Sequence, residues 1–137
     1  MQDIADAIGK ERVTRVIDRF YDRIQEHARL KIPFAVVRDW VHHKEILTHF
    51  WWVTLGGERY LDYSYTVANK HQESGFTPAL LGDWLPLFHE IVREEVPEKT
   101  LADGWLERAD RIGQSLTYLH EVTQRNHAVN PTLFKPA

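Results

Sequence analysis

From His71 onward the chain reads HQESGFTPALLGDWLPLF: a lone imidazole, a helix start at Thr77-Pro78, and then Trp84 and Phe88 on the helix that begins there. Upstream, Phe20-Tyr21, Trp40 with His43, and Phe50-Trp51 complete an aromatic set with one histidine on each side. A neutral imidazole can ligate iron, and a phenol or an indole offers a hydrogen-bond donor from an otherwise apolar wall. These residue types suggest a flat, apolar, metal-containing cofactor between a proximal and a distal histidine, with haem the obvious candidate. A lone histidine is more often a surface or satisfied core residue, so the rings on neighbouring helices carry the weight of this reading.

Other polar groups near that set have bland readings beside the functional ones. His43 shares a helical face with Trp40, Leu47 and Phe50, whereas His42 and His49 point elsewhere and read as partly solvated. A non-haem metal site on His42, His43 and His49 is the alternative chemistry, but no pair of histidines four apart flanks a glutamate and there is no cysteine. Tyr21 is either a core tyrosine whose hydroxyl reaches a carbonyl or a donor aimed at a small ligand. Lys44 and Lys70 adjoin the two histidines and could pair with cofactor carboxylates, although solvation is the ordinary role of a lysine. Glu94-Glu95 and the run Arg108, Asp110, Arg111 read as solvated faces. No serine–histidine–aspartate set, glycine-rich phosphate loop or paired-carboxylate motif stands out.

The elements that must position these groups are helical. Val13, Val16, Ile17, Phe20, Tyr21 and Ile24 recur at three- and four-residue intervals and form one inward stripe. Ile32-Pro33-Phe34 breaks that helix at a corner. Trp40, His43, Leu47, Phe50, Trp51 and Thr54 form the next stripe, which Gly56-Gly57 stops. Glu58 to Lys70 is a connector that could carry a short helix ending near His71; Tyr63 and Tyr65 alternate too briefly to make a strand. Thr77 can cap a helix with Pro78 at its first position, where no amide hydrogen is needed. Leu81, Trp84, Leu85, Phe88, Ile91 and Val92 follow, with Pro86 predicting a kink near Trp84. The last helix is expected over 101–124 with Leu106, Ala109, Ile112, Leu116 and Leu119 inward, and a loose tail over about 126–137. Four long helices without a convincing strand predict a single all-α domain over 1–137.

Composition narrows the classes further. With 137 residues and 16.1 kDa, 43% of them hydrophobic, one domain can bury its own core. A net charge of −3 gives no basic patch for nucleic acid. No apolar run approaches a membrane span and the first residues are not a signal peptide, so a cytoplasmic location is expected. Cysteine is absent, which excludes disulfides, thiolate catalysis, iron–sulfur clusters and cysteine-ligated haem. Five tryptophans in so short a chain suggest a large pocket or a flat ligand.

In order and spacing, these pieces resemble the truncated haemoglobins, most closely their third group, over roughly residues 8–119. FYDRI at 20–24 resembles the Phe-Tyr motif that ends in the distal tyrosine, and Pro33-Phe34 is similar to the corner whose phenylalanine packs on the haem. Trp40 with His43, then Phe50-Trp51, resembles the distal-helix pattern, and WVTLGGERY at 52–60 the stretch where that helix ends. His71, thirteen residues before Trp84, resembles the proximal histidine and distal tryptophan, and WLERADRIGQSL at 105–116 the last helix. The chain departs from the pattern in a longer connector ahead of His71, in Tyr63 and Tyr65, in a shortened corner after Phe34, and in Pro86.

The resemblance implies a two-over-two helical sandwich holding haem b. It implies His71 as the iron ligand, with Tyr21, His43 and Trp84 lining the distal side. Phe34, Leu47, Phe50, Trp51 and Phe88 would be apolar haem contacts. The expected ligands are oxygen, carbon monoxide and nitric oxide. Two charge-assisted donors at ~1.5–3 kcal/mol each would make oxygen release slow. His43 would either gate access or itself coordinate iron. Such a pocket suits nitric oxide or peroxide chemistry, for which an external reductase would supply electrons. Two further readings compete: a haem-free helical module that docks a partner through a tryptophan-rich face, and the histidine-rich non-haem metalloprotein above.

Overall fold

The computed structural model describes residues 4–62 and 77–129, and among these residues it is all-helical, with no strand. The helices are α1 (Ala5–Ile8), α2 (Lys10–Glu26), α3 (Trp40–Thr54), α4 (Pro78–Glu95) and α5 (Lys99–Val129). The short α1 has no counterpart in the sequence reading. Gly9 separates it from α2, and it is tied to the far end of α3, where the Ile4 and Ala5 amides both donate to the Leu55 carbonyl at 3.1 Å.

All six residues of the α2 stripe, from Val13 to Ile24, are buried. The helix ends at Glu26, ahead of the Ile32-Pro33-Phe34 break. His27 terminates it: its Nδ1 accepts from the Arg29 and Leu30 amides at 3.1 Å each, which turns the chain before the proline is reached. Turns then run over 28–36. Asp39 starts α3 by accepting from the His42 amide at 3.1 Å. Gly56, at φ 101°, follows the last turn in a backbone region that a side chain would strain.

Helix α4 begins as its sequence demands, with the Thr77 hydroxyl accepting from the Leu80 amide at 3.3 Å and Pro78 at the first position. It continues unbroken through Pro86. Gly82, whose carbonyl loses its partner there, and Pro86 are both exposed, so water can serve the freed carbonyl. Helix α5 is longer than expected at both ends. Its first residues of the assumed loose tail, up to Val129, are helical, and 130–137 lie outside the described residues. Leu119, expected inward, is 40% exposed, because the helix has by then run past the core.

Helix α2 packs on α3 and α4, and α4 packs on α5. Ion pairs join α2 to the α4 region in descending order: Arg12–Glu98 at 2.7 Å, Arg15–Glu95 at 3.0 Å, Arg19–Glu94 at 2.6 Å, Arg23–Glu90 at 3.5 Å and, from the following turn, Arg29–Asp83 at 3.1 Å. Rising numbers on one partner meet falling numbers on the other, so α2 and α4 run antiparallel. Glu94 and Glu95 are therefore inter-helix partners and not the plain solvated face that their sequence suggests. Behind this ladder lies an aromatic core of Phe20, Trp51, Trp84, Phe88 and Trp105, all buried.

Candidate functional site

The two α2 residues that matter follow from its stripe. Phe20 and Tyr21 are adjacent and both buried, with ring centroids 4.9 Å apart and edge-on. Phe20 meets Trp84 edge-on at 5.0 Å. Tyr21, only 4% exposed, meets Phe34 at 5.7 Å, Trp40 at 5.9 Å and His43 at 6.0 Å. His43 is half-buried and stands edge-on to Trp40 at 5.4 Å. Corner, α2 and α3 thus converge on the Tyr21 ring.

Beside this cluster lies a cleft lined by Tyr21 from α2, Phe34 from the corner, Leu47, Phe50 and Trp51 from α3, Leu81 and Trp84 from α4, and Ala109, Ile112, Gly113 and Leu116 from α5. Among the described residues no charged side chain lines it. It is narrow: the cavity volume is about 30 Å³, room for a water or two, and the cleft reaches about 450 Å³ when all the space up to its mouth is counted. Gly113 shapes one wall, since a Cβ there would stand 3.0 Å from Leu85 Cδ1 and 3.4 Å from Leu81 Cδ2. On the opposite side the Trp84 indole nitrogen is buried and has no hydrogen-bond partner among the described residues. A desolvated donor of this kind costs about 1–3 kcal/mol unless something supplies an acceptor.

Six residues singled out from sequence, Tyr21, Phe34, Leu47, Phe50, Trp51 and Trp84, therefore meet in one cleft. His43 sits at its edge, against Tyr21 and Phe34, and is not part of its wall. Phe88 is not in the wall either. It is fully buried behind the cleft, stacked between Trp84 at 4.9 Å and Trp51 at 5.0 Å, because its place one turn beyond Trp84 carries it into the α2–α5 interior. Lys70, His71, Tyr63 and Tyr65 lie outside the described residues. Leu81, Ala109, Ile112, Gly113 and Leu116 complete the walls. Their spacing on α5, at i, i+3, i+4 and i+7, marks an inward stripe, but nothing in it distinguishes a cleft from a core.

The remaining candidates are placed differently from their sequence readings. Lys44 is no solvated side chain: its ammonium bridges Asp18 at 2.8 Å and Asp22 at 2.6 Å, clamping α3 to α2. Burial opposes its charge, yet the hydrogen bonds it donates to the two aspartates raise its pKa above the ordinary lysine value. His49 is buried, not partly solvated. Its Nε2 accepts from the Tyr60 amide at 3.2 Å and the Leu61 amide at 3.4 Å, which fixes the neutral imidazole. Burial, followed by the charges of Arg59 and Lys10, pushes its pKa down.

His42 is exposed, and among the described residues no group of three or more His, Asp or Glu side chains is placed to hold a metal ion. The non-haem triad of His42, His43 and His49 is thereby dismantled, since His49 spends its free nitrogen on backbone amides. None of the five tryptophans is exposed: Trp51, Trp84 and Trp105 are buried, and Trp40 and Trp52 are half-buried. No described helix is long and apolar enough to cross a membrane. Compared with known proteins, the chain matches no family model, no curated protein and no solved structure.

Proposed function

We propose that this chain is a haem protein of the truncated-globin kind, which seats haem b in the apolar cleft and binds small diatomic ligands there. In this reading α2 to α5 form the two-over-two sandwich, and His71, seven positions before Pro78, would be the residue that holds the iron. The observation that carries the reading is the convergence of Tyr21, Phe34, Leu47, Phe50, Trp51 and Trp84 on a single uncharged cleft.

The lining residues suit the chemistry of the group, and the cleft, about 30 Å³ as it stands, would widen to admit it. The walls are aromatic and aliphatic, suited to a flat macrocycle. Gly113 lets the ends of Leu81 and Leu85 lie close against α5. The unpartnered Trp84 N–H offers a donor to whatever acceptor enters the cleft. A haem iron supplies binding of oxygen, carbon monoxide or nitric oxide and, given an external electron donor, redox conversion of such ligands. The protein's own contribution is to exclude water with Leu47, Phe50, Leu81 and Ile112. The Tyr21 hydroxyl and the Trp84 indole N–H, both on the cleft wall, would be the donors to such a ligand, with His43 at the rim.

The test is an absorption spectrum of the protein with added haemin, before and after dithionite and carbon monoxide. A sharp Soret band that moves with carbon monoxide and is lost or weakened in His71→Ala is expected. Absence of a specific band would refute the proposal.

A further inference from the structure

A second hollow lies outside the corner. It is an open groove of about 430 Å³ lined by Gln25, Lys31, Ile32, Phe34, Ala35, Val37 and Trp40. One residue, Phe34, belongs to both this groove and the interior cleft. Its ring is half-buried and stands between Tyr21, a cleft residue, at 5.7 Å and Trp40, a groove residue, at 6.2 Å. Ile32, 68% exposed, makes the outer face of the groove apolar at the point where solvent meets it.

We infer that this groove is the access site through which small uncharged ligands reach the cleft, with the Phe34 side chain as the partition between the two. The inference rests on the proposed function for the identity of the ligand, but the route itself follows from the two hollows sharing one wall. Phe34 is carried by turns and not by a helix. Its segment is held by single backbone bonds, Ala35 N to Ile32 O at 3.2 Å and Val37 N to Phe34 O at 3.1 Å. Such a segment opens more readily than the helices on either side of it. The groove wall offers aliphatic and aromatic surface with one amide and one ammonium, so it favours gases over anions that would have to shed water between Phe34 and Trp40.

A partition differs from a ligand contact in its kinetics: it changes the rates in and out by the same factor and leaves affinity alone. Carbon monoxide association and dissociation on the haem-loaded protein should both rise about fivefold or more in Phe34→Ala. Both should fall about threefold or more in Ala35→Trp, which fills the exposed groove from a residue that does not itself line the cleft. Affinity should stay within about twofold in Ala35→Trp; in Phe34→Ala, which also removes a cleft-wall ring, the association rate is the readout. Xenon exchange in the haem-free protein, followed by xenon NMR, should show the same opposed pair of effects. Rates unchanged in both variants, or a change in affinity in Ala35→Trp without a matched change in the two rates, would overturn the route while leaving haem binding intact. Opposed xenon effects in a protein that takes up no haem would uphold the route and sink the proposed function.

Discussion

Trp84 carries a tension that one atom would relieve. Its indole ring is held by Phe20 and Phe88, while its N–H is buried without an acceptor. Removing both the donor and its desolvation by Trp84→Phe should therefore leave the haem-free protein about as stable as before, because the small void and the lost polar cost, each of about 1–3 kcal/mol, oppose one another. In the haem-loaded protein the same change should speed oxygen dissociation about tenfold or more, as should Tyr21→Phe, if each donor contributes ~1.5–3 kcal/mol to ligand binding. Stopped-flow oxygen release, with thermal unfolding of the same variants, separates the two effects. An unchanged release rate removes that donor from the site.

His49 makes a residue-scale claim about pH. Its folded pKa lies below the unfolded value of 6.5, so the folded state holds fewer protons. Its contribution to stability is complete above that pH and is lost as the pH falls through 6.5 toward the folded value. His49→Gln keeps an acceptor for the Tyr60 and Leu61 amides but cannot titrate. It should flatten the unfolding midpoint between about pH 7 and 5, where the parent declines. A parent midpoint that is level over this range would contradict the role. Sequence could not show this, because nothing about a histidine between Thr48 and Phe50 tells which amides fold back onto it.

At the scale of elements, the helical periods were legible because each depends on its own residues: the α2 stripe is buried throughout, and the Thr77-Pro78 start and the Gly56 stop occur where local chemistry demands them. Errors fell where partners lie far apart in sequence. Lys44, Glu94 and Glu95 look solvated in isolation and are bonded to α2. Helix α2 ends before its proline because His27 caps the turn. Arg12, Arg15, Arg19 and Arg23 do recur at three- and four-residue spacing, a signal for one charged face, but only the fold reveals the acidic face it meets. This ladder holds Tyr21 opposite Trp84. Arg19→Ala, which removes bonds to both Glu94 and Glu95, should cost about 1 kcal/mol at low salt and less at high salt. The Arg15 hydrogen bond, opposed by burial and joined by that of Arg19, holds Glu95 below its ordinary value of 4.5. The stability it contributes is therefore present above that pH and lost as the pH falls below it. Urea unfolding at pH 7 and pH 4, in parent and Glu95→Gln, checks both statements: the variant should lose less on acidification.

For the whole molecule, the cleft brings its own constraint. Its walls come from four helices and a corner, yet its cavity volume of about 30 Å³ leaves room for little more than water. A flat cofactor must therefore hold apart helices that otherwise close on one another, and α4 meets α5 at Gly113. The sequence shows Gly113 only as a helix-weakening residue between Ile112 and Gln114. Its purpose becomes visible when Leu81 and Leu85 are found against it. Gly113→Ala gains up to about 1 kcal/mol of helix propensity. The new methyl group meets the ends of two flexible leucines, which can shift by the few tenths of an ångström required. The haem-free protein should thus unfold at an equal or higher temperature. The same methyl narrows the cleft, so haemin, which should raise the midpoint of the parent through preferential binding to the folded state, should raise that of Gly113→Ala by less. Measured together by thermal unfolding with and without haemin, the two shifts must move in opposite directions. A variant that gains as much from haemin as the parent would show that the cofactor does not lie against α5, and the site would have to be redrawn around α2 and α3 alone.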